Sequence, residues 1–388
     1  METVRVGIIG LGNMGRQHAE YLGMGEIRGA RLTSVCDVVP SGLRWATERF
    51  GDRVETFDSP EAFFGSGLID AVLIATPHFD HPKLAIEAFR HGLHVLLEKP
   101  AGVDARSVRR MNEAAASSGR VFAMMYHMRL NPLFRKLRDL IRTGELGDIR
   151  RMNWIATDMY RTQNYYDTGA WRATWGGEGG GVLLNQCAHN IDLWQWTTGL
   201  LPKRVRAFCS FGKRRDIEAE DEATVYAEYE NGATAVFVAC STEAPGTNRF
   251  EVVGDRGKIV IEDGRLTFWR LRMPESKFNR TFKGAFGRPE CWLCDVPLPP
   301  ENAHYRNVTQ NWIDAILRGT PLVAPGEEGL RSVEMINAMY LSAWTDEWVE
   351  LPVDEDRFLS ELEKRIATSR FRRGDSVGRD LAHLPAEE

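Results

Sequence analysis

Three glycines near the start of the chain narrow its fold more than any other feature. Gly10, Gly12 and Gly15 stand in the run Val4-Arg-Val-Gly-Ile-Ile-Gly-Leu-Gly-Asn-Met-Gly15. Val4 to Ile9 reads as a buried strand, and the residues from Met14 to Leu22 read as a helix. A Gly-x-Gly-x-x-Gly pattern alone says little. Between a strand and a helix each glycine has a separate task. Gly10 permits the tight turn, Gly12 lets the backbone approach a pyrophosphate, and Gly15 lets the helix pack on the strand. The helix N-terminus, at Asn13 and Met14, then presents free N–H groups and a partial positive charge to phosphates.

A second apolar run, Ala30 to Cys36, ends at Asp37. A carboxylate some 20 residues after such glycines can accept hydrogen bonds from ribose hydroxyls and repels a 2′-phosphate. No basic residue follows directly, so the expected cofactor is NAD rather than NADP. The same carboxylate can also cap the helix that begins near Pro40.

With 388 residues the chain exceeds what one core usually accommodates. The division expected is 1–127 for dinucleotide binding, 128–350 for substrate binding and oligomerisation, and 351–388 as a tail. A net charge of −5 gives no basic field for nucleic acid. No apolar stretch reaches the roughly 18 residues of a membrane span, and the first apolar run lacks the flanks of a signal peptide. Six scattered cysteines suit reduced thiols, hence a cytoplasmic location. Cys291-Trp-Leu-Cys294 has no second pair to complete a zinc site, and no metal is expected.

Residues 1 to about 125 alternate strand and helix. The strands are Val4–Ile9, Leu32–Asp37, Ala71–Ala75, His94–Leu97 and Val121–Met125. The pattern implies a doubly wound parallel sheet. After Asn131-Pro132 and the helix Leu133–Arg142, strand-like runs follow closely from Arg150 to Trp269. Asn231-Gly232 marks a hairpin. The expected second unit is an α+β domain with an open, largely antiparallel sheet. It would pack on helices near Cys187–Thr198, Tyr305–Leu317 and Gly329–Ser342. Its other face needs cover, so a homo-oligomer, dimer or tetramer, is expected. The tail has a short helix, Arg357–Thr368, then an Arg-rich end that reads as an arm on a neighbour or an unstructured terminus.

Ligands bind beyond the carboxyl ends of strands in an open parallel sheet. Thr76-Pro77 and Glu98-Lys99-Pro100 follow two such strands, and His81 heads the helix after the first. Thr76, Pro77, His81, Glu98 and Lys99 are therefore expected at the cofactor crevice. A lysine there can hydrogen-bond a substrate hydroxyl and stabilise developing alkoxide. In Gly179-Gly-Gly-Val-Leu-Leu-Asn-Gln-Cys-Ala-His-Asn-Ile-Asp192, the residues Asn185, His189 and Asp192 share one face if the segment is a regular helix. His189 is the natural general base. The stretch between holds Trp154, Tyr160, Tyr165, Tyr166, Trp171 and Trp175. Aromatic faces with polar rims suit sugars, and Arg161 and Arg172 can hold an anionic substituent. Each of these residues alone is equally readable as core or surface.

Together, Gly10-Leu-Gly-Asn-Met-Gly15, Asp37, Ala75-Thr-Pro77, Glu98-Lys-Pro100, Arg129-Leu-Asn-Pro132, Gly144-Glu-Leu-Gly147 and the Gly179…Asp192 segment resemble the glucose–fructose oxidoreductase / inositol dehydrogenase / MocA family, from residue 4 to about 345. The resemblance implies an NAD(P)-binding domain, an open sheet used for oligomerisation, and chemistry on sugars or polyols. It also implies catalytic roles for Lys99 and His189. Family members commonly carry aspartate where this chain has Asn185, which cannot supply that charge. Tyr126 and His127 are alternative acid/base candidates. The substrate contacts expected are Lys99, Tyr126, Tyr160, Arg161, Arg172, Trp175, Asn185 and His189. The reaction expected is NAD-dependent oxidation of a sugar or polyol. The alternative is an NAD-dependent glycosidase that oxidises, eliminates, adds water and reduces again, on an anionic sugar for instance. A non-catalytic sensor is disfavoured by the presence of both Lys99 and His189.

Overall fold

A computed structural model describes residues 2–300 and 303–371. Val4–Ile9 forms β1, followed by α1 (Asn13–Gly23), β2 (Ala30–Cys36), α2 (Pro40–Phe50), β3 (Glu55–Phe57), α3 (Pro60–Gly65), β4 (Ala71–Ile74), α4 (His81–Arg90), β5 (His94–Leu97), α5 (Ala105–Ser118) and β6 (Phe122–Met124). The six strands form one sheet in the order β3-β2-β1-β4-β5-β6, all parallel. Order reverses between β1 and β4, and a doubly wound sheet binds its ligand at that switch point. β3 has no counterpart among the sequence readings: three residues, one exposed and two half-buried, are too few to show a period.

Buried side chains cover both faces of this sheet. Ala19 and Leu22 of α1 and Ala46 and Phe50 of α2 lie on one face with Val4, Val6 and Ile8. Phe63, Ala85, Phe89, Val108 and Met111, from α3, α4 and α5, lie on the other. Asp104 starts α5 by accepting a hydrogen bond from Ser107 N–H at 2.8 Å.

The second unit begins with α6 (Pro132–Arg142), capped by Asn131. It continues through β7 (Ile149–Ala156), α7 (Gln163–Asp167), α8 (Ala188–Thr198), β8 (Arg204–Phe211), β9 (Glu220–Glu228), β10 (Thr234–Cys240), β11 (Asn248–Gly254), β12 (Gly257–Glu262), β13 (Arg265–Leu271), α9 (Glu275–Thr281), β14 (Cys291–Cys294), α10 (Tyr305–Arg318), α11 (Gly329–Thr345), β15 (Val349–Glu350) and α12 (Glu355–Thr368). The sheet has nine strands in the order β14-β13-β12-β11-β7-β10-β9-β8-β15. Only β7 and β10 pair in parallel. Asn231-Gly232 makes the expected β9–β10 hairpin, with Gly232 at φ +80°. The Cys291…Cys294 pair lies in edge strand β14, and all six cysteines are free.

The inner face of this sheet packs Trp154 on Phe250, ring centroids 4.3 Å apart, and Phe237 on Trp194 of α8. Ile155, Phe208 and Tyr226 remain exposed on the opposite face. One helix departs from expectation. The helix expected over Tyr305–Leu317 against the second sheet is α10, but its Val308, Trp312 and Ile313 pack into the α1 face of the first. Thr309 Oγ1 meets Tyr21 Oη of α1 at 2.7 Å. An amphipathic stripe says that a helix is buried, not which sheet buries it. α12 seats Phe358 and Leu362 in the second core. The Arg-rich end beyond residue 371 lies outside the described residues.

Candidate active site

The glycine turn has the geometry that its three tasks require. Gly10 has φ +92°, and a Cβ there would meet the Ala75 and Thr76 backbone at 2.7–2.8 Å. A Cβ on Gly15 would lie 1.8 Å from the Gly10 carbonyl oxygen, whereas one on Gly12 would meet nothing within 4 Å. The turn is thus closed on the protein side and open at Gly12, toward the space a pyrophosphate takes. Gly15→Ala is expected to lower the melting temperature and weaken NAD binding at least about tenfold, since the backbone must open. Unchanged calorimetric NAD affinity would contradict the packing role.

Asp37 accepts hydrogen bonds from Leu11 N–H at 2.5 Å and Val39 N–H at 2.8 Å. It therefore ties the glycine turn to Val39, just before α2. The capping of α2 expected of it is not made, since no side chain caps that helix, while its place at the end of β2 suits the ribose contact expected of it. Thr76 Oγ1 is buried without a partner among the described residues, which suits a cofactor contact. Two other expected contacts are corrected. The His81 ring nitrogens face the Pro100 and Thr76 carbonyl oxygens at 2.7 and 2.8 Å, so His81 braces the two loops. Glu98 faces His18 Nε2 at 2.7 Å and accepts from Lys99 N–H at 3.1 Å. Burial opposes its charge, but His18 and then the Lys99 charge hold its carboxyl below the usual range. An open cradle, the unpartnered Thr76 hydroxyl and a carboxylate at the end of β2 fit a dinucleotide.

Lys99 lies at the carboxyl end of β5. Its Nζ donates to Asn185 Oδ1 at 3.0 Å and to the Asn185 carbonyl at 3.1 Å. An ammonium has three donors, so one remains for a ligand. Burial pushes the lysine pKa down, while Glu98 and Glu178 act against that shift. Asn185 is presented by a single π-helical turn, Val182–Gln186, which precedes α8. Glu220 anchors that turn, accepting from Gly181 N–H (3.1 Å), Leu183 N–H (2.8 Å) and the Tyr340 hydroxyl (2.8 Å). Burial pushes its carboxyl up to about 7. The π turn overturns the reading of Asn185, His189 and Asp192 as one face of one helix. Asp192 is instead buried and bonded bidentately by Arg129 at 2.6 and 2.8 Å.

His189 Nδ1 and His127 Nδ1 are both buried without partners among the described residues. Their rings stand perpendicular with centroids 4.6 Å apart. Burial, then the charges of His127 and Lys99, push His189 well below the usual histidine range. Burial pushes His127 down to about 4. Both are therefore neutral near pH 7. Tyr126 is corrected. It is fully buried, its hydroxyl faces Ser332 Oγ at 3.4 Å, and burial pushes its pKa up. Arg129 stacks on its ring, so it belongs to the core rather than to the crevice.

The Gly-rich aromatic stretch divides. Arg161 and Arg172 both lie over the Tyr165 ring, at 5.2 and 4.3 Å, each with a buried Nε that has no partner among the described residues. Tyr165 Oη accepts from Arg172 at 2.5 Å and from Gln186 at 3.3 Å. These groups join the Lys99 cluster: the Arg172 and Arg161 charges act on Lys99. Trp175 does not. It is buried among Tyr340, Trp344 and Phe211, a further correction, because a large apolar ring near a core is worth more inside it. Tyr160 is exposed, with Arg215 on its ring. Glu178 and Glu220 had no signal of their own in sequence. Both are glutamates without a periodic pattern around them.

Residues 4–127 match the model for the oxidoreductase family with an NAD-binding Rossmann fold, and residues 134–260 match the GFO/IDH/MocA C-terminal domain. Inositol 2-dehydrogenase of Pseudarthrobacter chlorophenolicus is 36% identical over 332 residues, covering 82% of this chain and 87% of that protein. Inositol 2-dehydrogenase of Rhizobium meliloti is 26% identical over 340 residues, covering 87% and 96%. Among solved structures, the WlbA dehydrogenase of Bordetella pertussis, in complex with NADH and UDP-GlcNAcA, superposes with a TM-score of 0.77 at 26% identity. That likeness covers 91% of this chain and all of the other. The chain belongs to the GFO/IDH/MocA family of oxidoreductases, and its six-stranded unit is that family's NAD-binding Rossmann domain.

Proposed function

We propose that this protein is an NAD-dependent dehydrogenase of a sugar, sugar derivative or polyol, with Lys99 and His189 at the reacting carbinol. One observation carries the reading. Lys99, at the end of β5, bonds Asn185 in the turn that leads into α8, and the first turn of α8 carries His189, whose Nδ1 has no partner among the described residues. Bound NAD would supply the hydride acceptor. Lys99 donates to the hydroxyl oxygen and stabilises negative charge as it develops. His189, held neutral, can accept the hydroxyl proton. Arg161, Arg172, Tyr165 and Asn185 supply donors for further hydroxyl or anionic groups. The named relatives are dehydrogenases, which favours net oxidation over the hydrolytic alternative. That alternative also loses Tyr126 as an extra base.

The test is a panel of sugars, polyols and aryl glycosides with NAD, followed at the NADH absorbance band. NADH growth on a free sugar or polyol is expected. Aglycone release without NADH growth would overturn the reading. NADP is expected to bind at least about tenfold more weakly than NAD, a difference of about 1.4 kcal/mol, because a carboxylate at the end of β2, as Asp37 is, would accept from ribose hydroxyls and repel a 2′-phosphate. Asp37→Ser should narrow that gap, and tighter NADP binding by the unaltered protein would contradict the assignment. We further place the protein in the cytoplasm as a homo-oligomer, with residues 1–127 and 128–350 as its domains and 351–388 as its tail. Six free cysteines and the exposed Ile155, Phe208 and Tyr226 support that placement.

A further inference from the structure

We infer that Glu178 is a positioning residue for the reaction: through the side-chain amide of Asn185 it supplies the negative charge that orients the Lys99 ammonium. The inference rests on the reading above that Lys99 acts on the substrate hydroxyl.

An asparagine amide has one accepting and one donating edge. Asn185 Oδ1 accepts from Lys99 Nζ at 3.0 Å, and Asn185 Nδ2 donates to Glu178 Oε1. An ammonium can only donate and a carboxylate can only accept, so this is the one amide orientation that serves both. The amide dipole then lies along a line from carboxylate to ammonium. Asn185 uses its backbone carbonyl as well, at 3.1 Å, and Nζ is held from two directions.

Glu178 is 1% exposed. Among the described residues no lysine, arginine or histidine forms an ion pair with it. A buried carboxylate without a directly bonded cation is costly, and structures retain one where its charge acts on something. Its second oxygen accepts from Ala173 N–H. Burial raises its pKa, but that bond, the Asn185 bond and the charges of Arg172 and Lys99 favour the ionised form. The carboxylate is also held in place. His78 Nδ1 meets the Glu178 carbonyl at 3.2 Å. The neighbouring Gly179 has φ +83°, and a Cβ there would lie 2.4 Å from Val103.

This arrangement accounts for asparagine at position 185. An aspartate there would set two carboxylates in contact, and one of them would have to take a proton. The charge is retained but displaced from position 185 to position 178, seven residues earlier, and the amide conveys it.

The isosteric exchange E178Q tests this. Its kcat is expected to fall about 10- to 100-fold, with KM for NAD unchanged. The Glu178 charge raises the proton affinity of Lys99, so its removal should move the Lys99 limb of the pH–rate profile about one unit to lower pH. The other charged and titratable groups acting on or near Lys99, namely Glu98, Arg161, Arg172, His78, His127 and His189, are unaltered. The double exchange E178Q/N185D returns the carboxylate to Lys99 with glutamine as its donor. It should recover kcat to within about threefold of the original, where a merely structural Glu178 would give no rescue. If E178Q alone melts too low for assay, the double exchange still decides. An E178Q protein with unchanged kcat and pH profile, beside an inactive K99A, overturns this inference alone. So does a folded double variant no better than E178Q. An active K99A overturns both this inference and the function on which it rests.

Discussion

Lys99→Ala is expected to bind NAD normally and to oxidise its substrate about 10³-fold more slowly, or not at all. Removing the side chain takes away the one donor left free at the end of β5. It also removes a cation placed where the hydroxyl oxygen gains negative charge. Contributions of that kind are worth about 10²–10⁴-fold in rate. The glycine turn and Asp37 do not depend on Lys99, so calorimetric NAD affinity should stay within about threefold. Lys99→Arg should recover little, because the planar guanidinium cannot make the paired contacts to the Asn185 carbonyl and Oδ1 from one nitrogen. Turnover by K99A at the original rate would remove Lys99 from the site.

Arg129→Met is expected to be the most destabilising single exchange. The Arg129 side chain is fully buried, with Nε and Nη2 on Asp192 and Nη1 on Glu328. Its guanidinium also lies over the rings of Tyr126 and Trp196. It ties the end of the first unit to α8 and to the turn before α11. Methionine fills much of the volume but leaves Asp192 buried with only Gln195 donating to it, at 3.1 Å. Breaking a buried pair from one side costs about 3–5 kcal/mol, and a melting temperature lower by roughly 10 °C follows. The loss should be greater at pH 8 than at pH 5. An unpaired buried aspartate has a folded-state pKa above its unfolded one, so the folded state binds the extra proton and stability falls as pH rises. A melting temperature within 2 °C or so of the original, or the opposite pH trend, would contradict this account of the pair.

What was legible in the sequence was local. Gly10, Gly12 and Gly15 act within one turn, and Asn231-Gly232 within one hairpin, so short patterns sufficed. The place of Lys99 was legible because the carboxyl ends of strands have a known place in a doubly wound fold, whereas the roles expected of Lys99 and His189 came from the family resemblance. Features that depend on distant residues were not. The Tyr126 hydroxyl is directed by Ser332, 206 residues away. Trp175 is taken into the core by Tyr340 and Trp344. The packing of α10 on the first sheet depends on Tyr21 and Leu22 of α1. Glu178 was hidden for a different reason. Its contact with Asn185 is made across a Gly-Gly-Gly run and a π turn, for which no short pattern in the sequence stands.

The central claim is that hydride leaves a carbinol carbon held against Lys99 and His189 and is received by NAD. A substrate identified in the panel, deuterated at its carbon-bound positions, tests this most directly when the mass of the NADH formed is measured. The account predicts one deuterium per NADH from the unaltered protein and no labelled NADH from K99A. Unlabelled NADH, or labelled NADH formed at full rate by K99A, would contradict it.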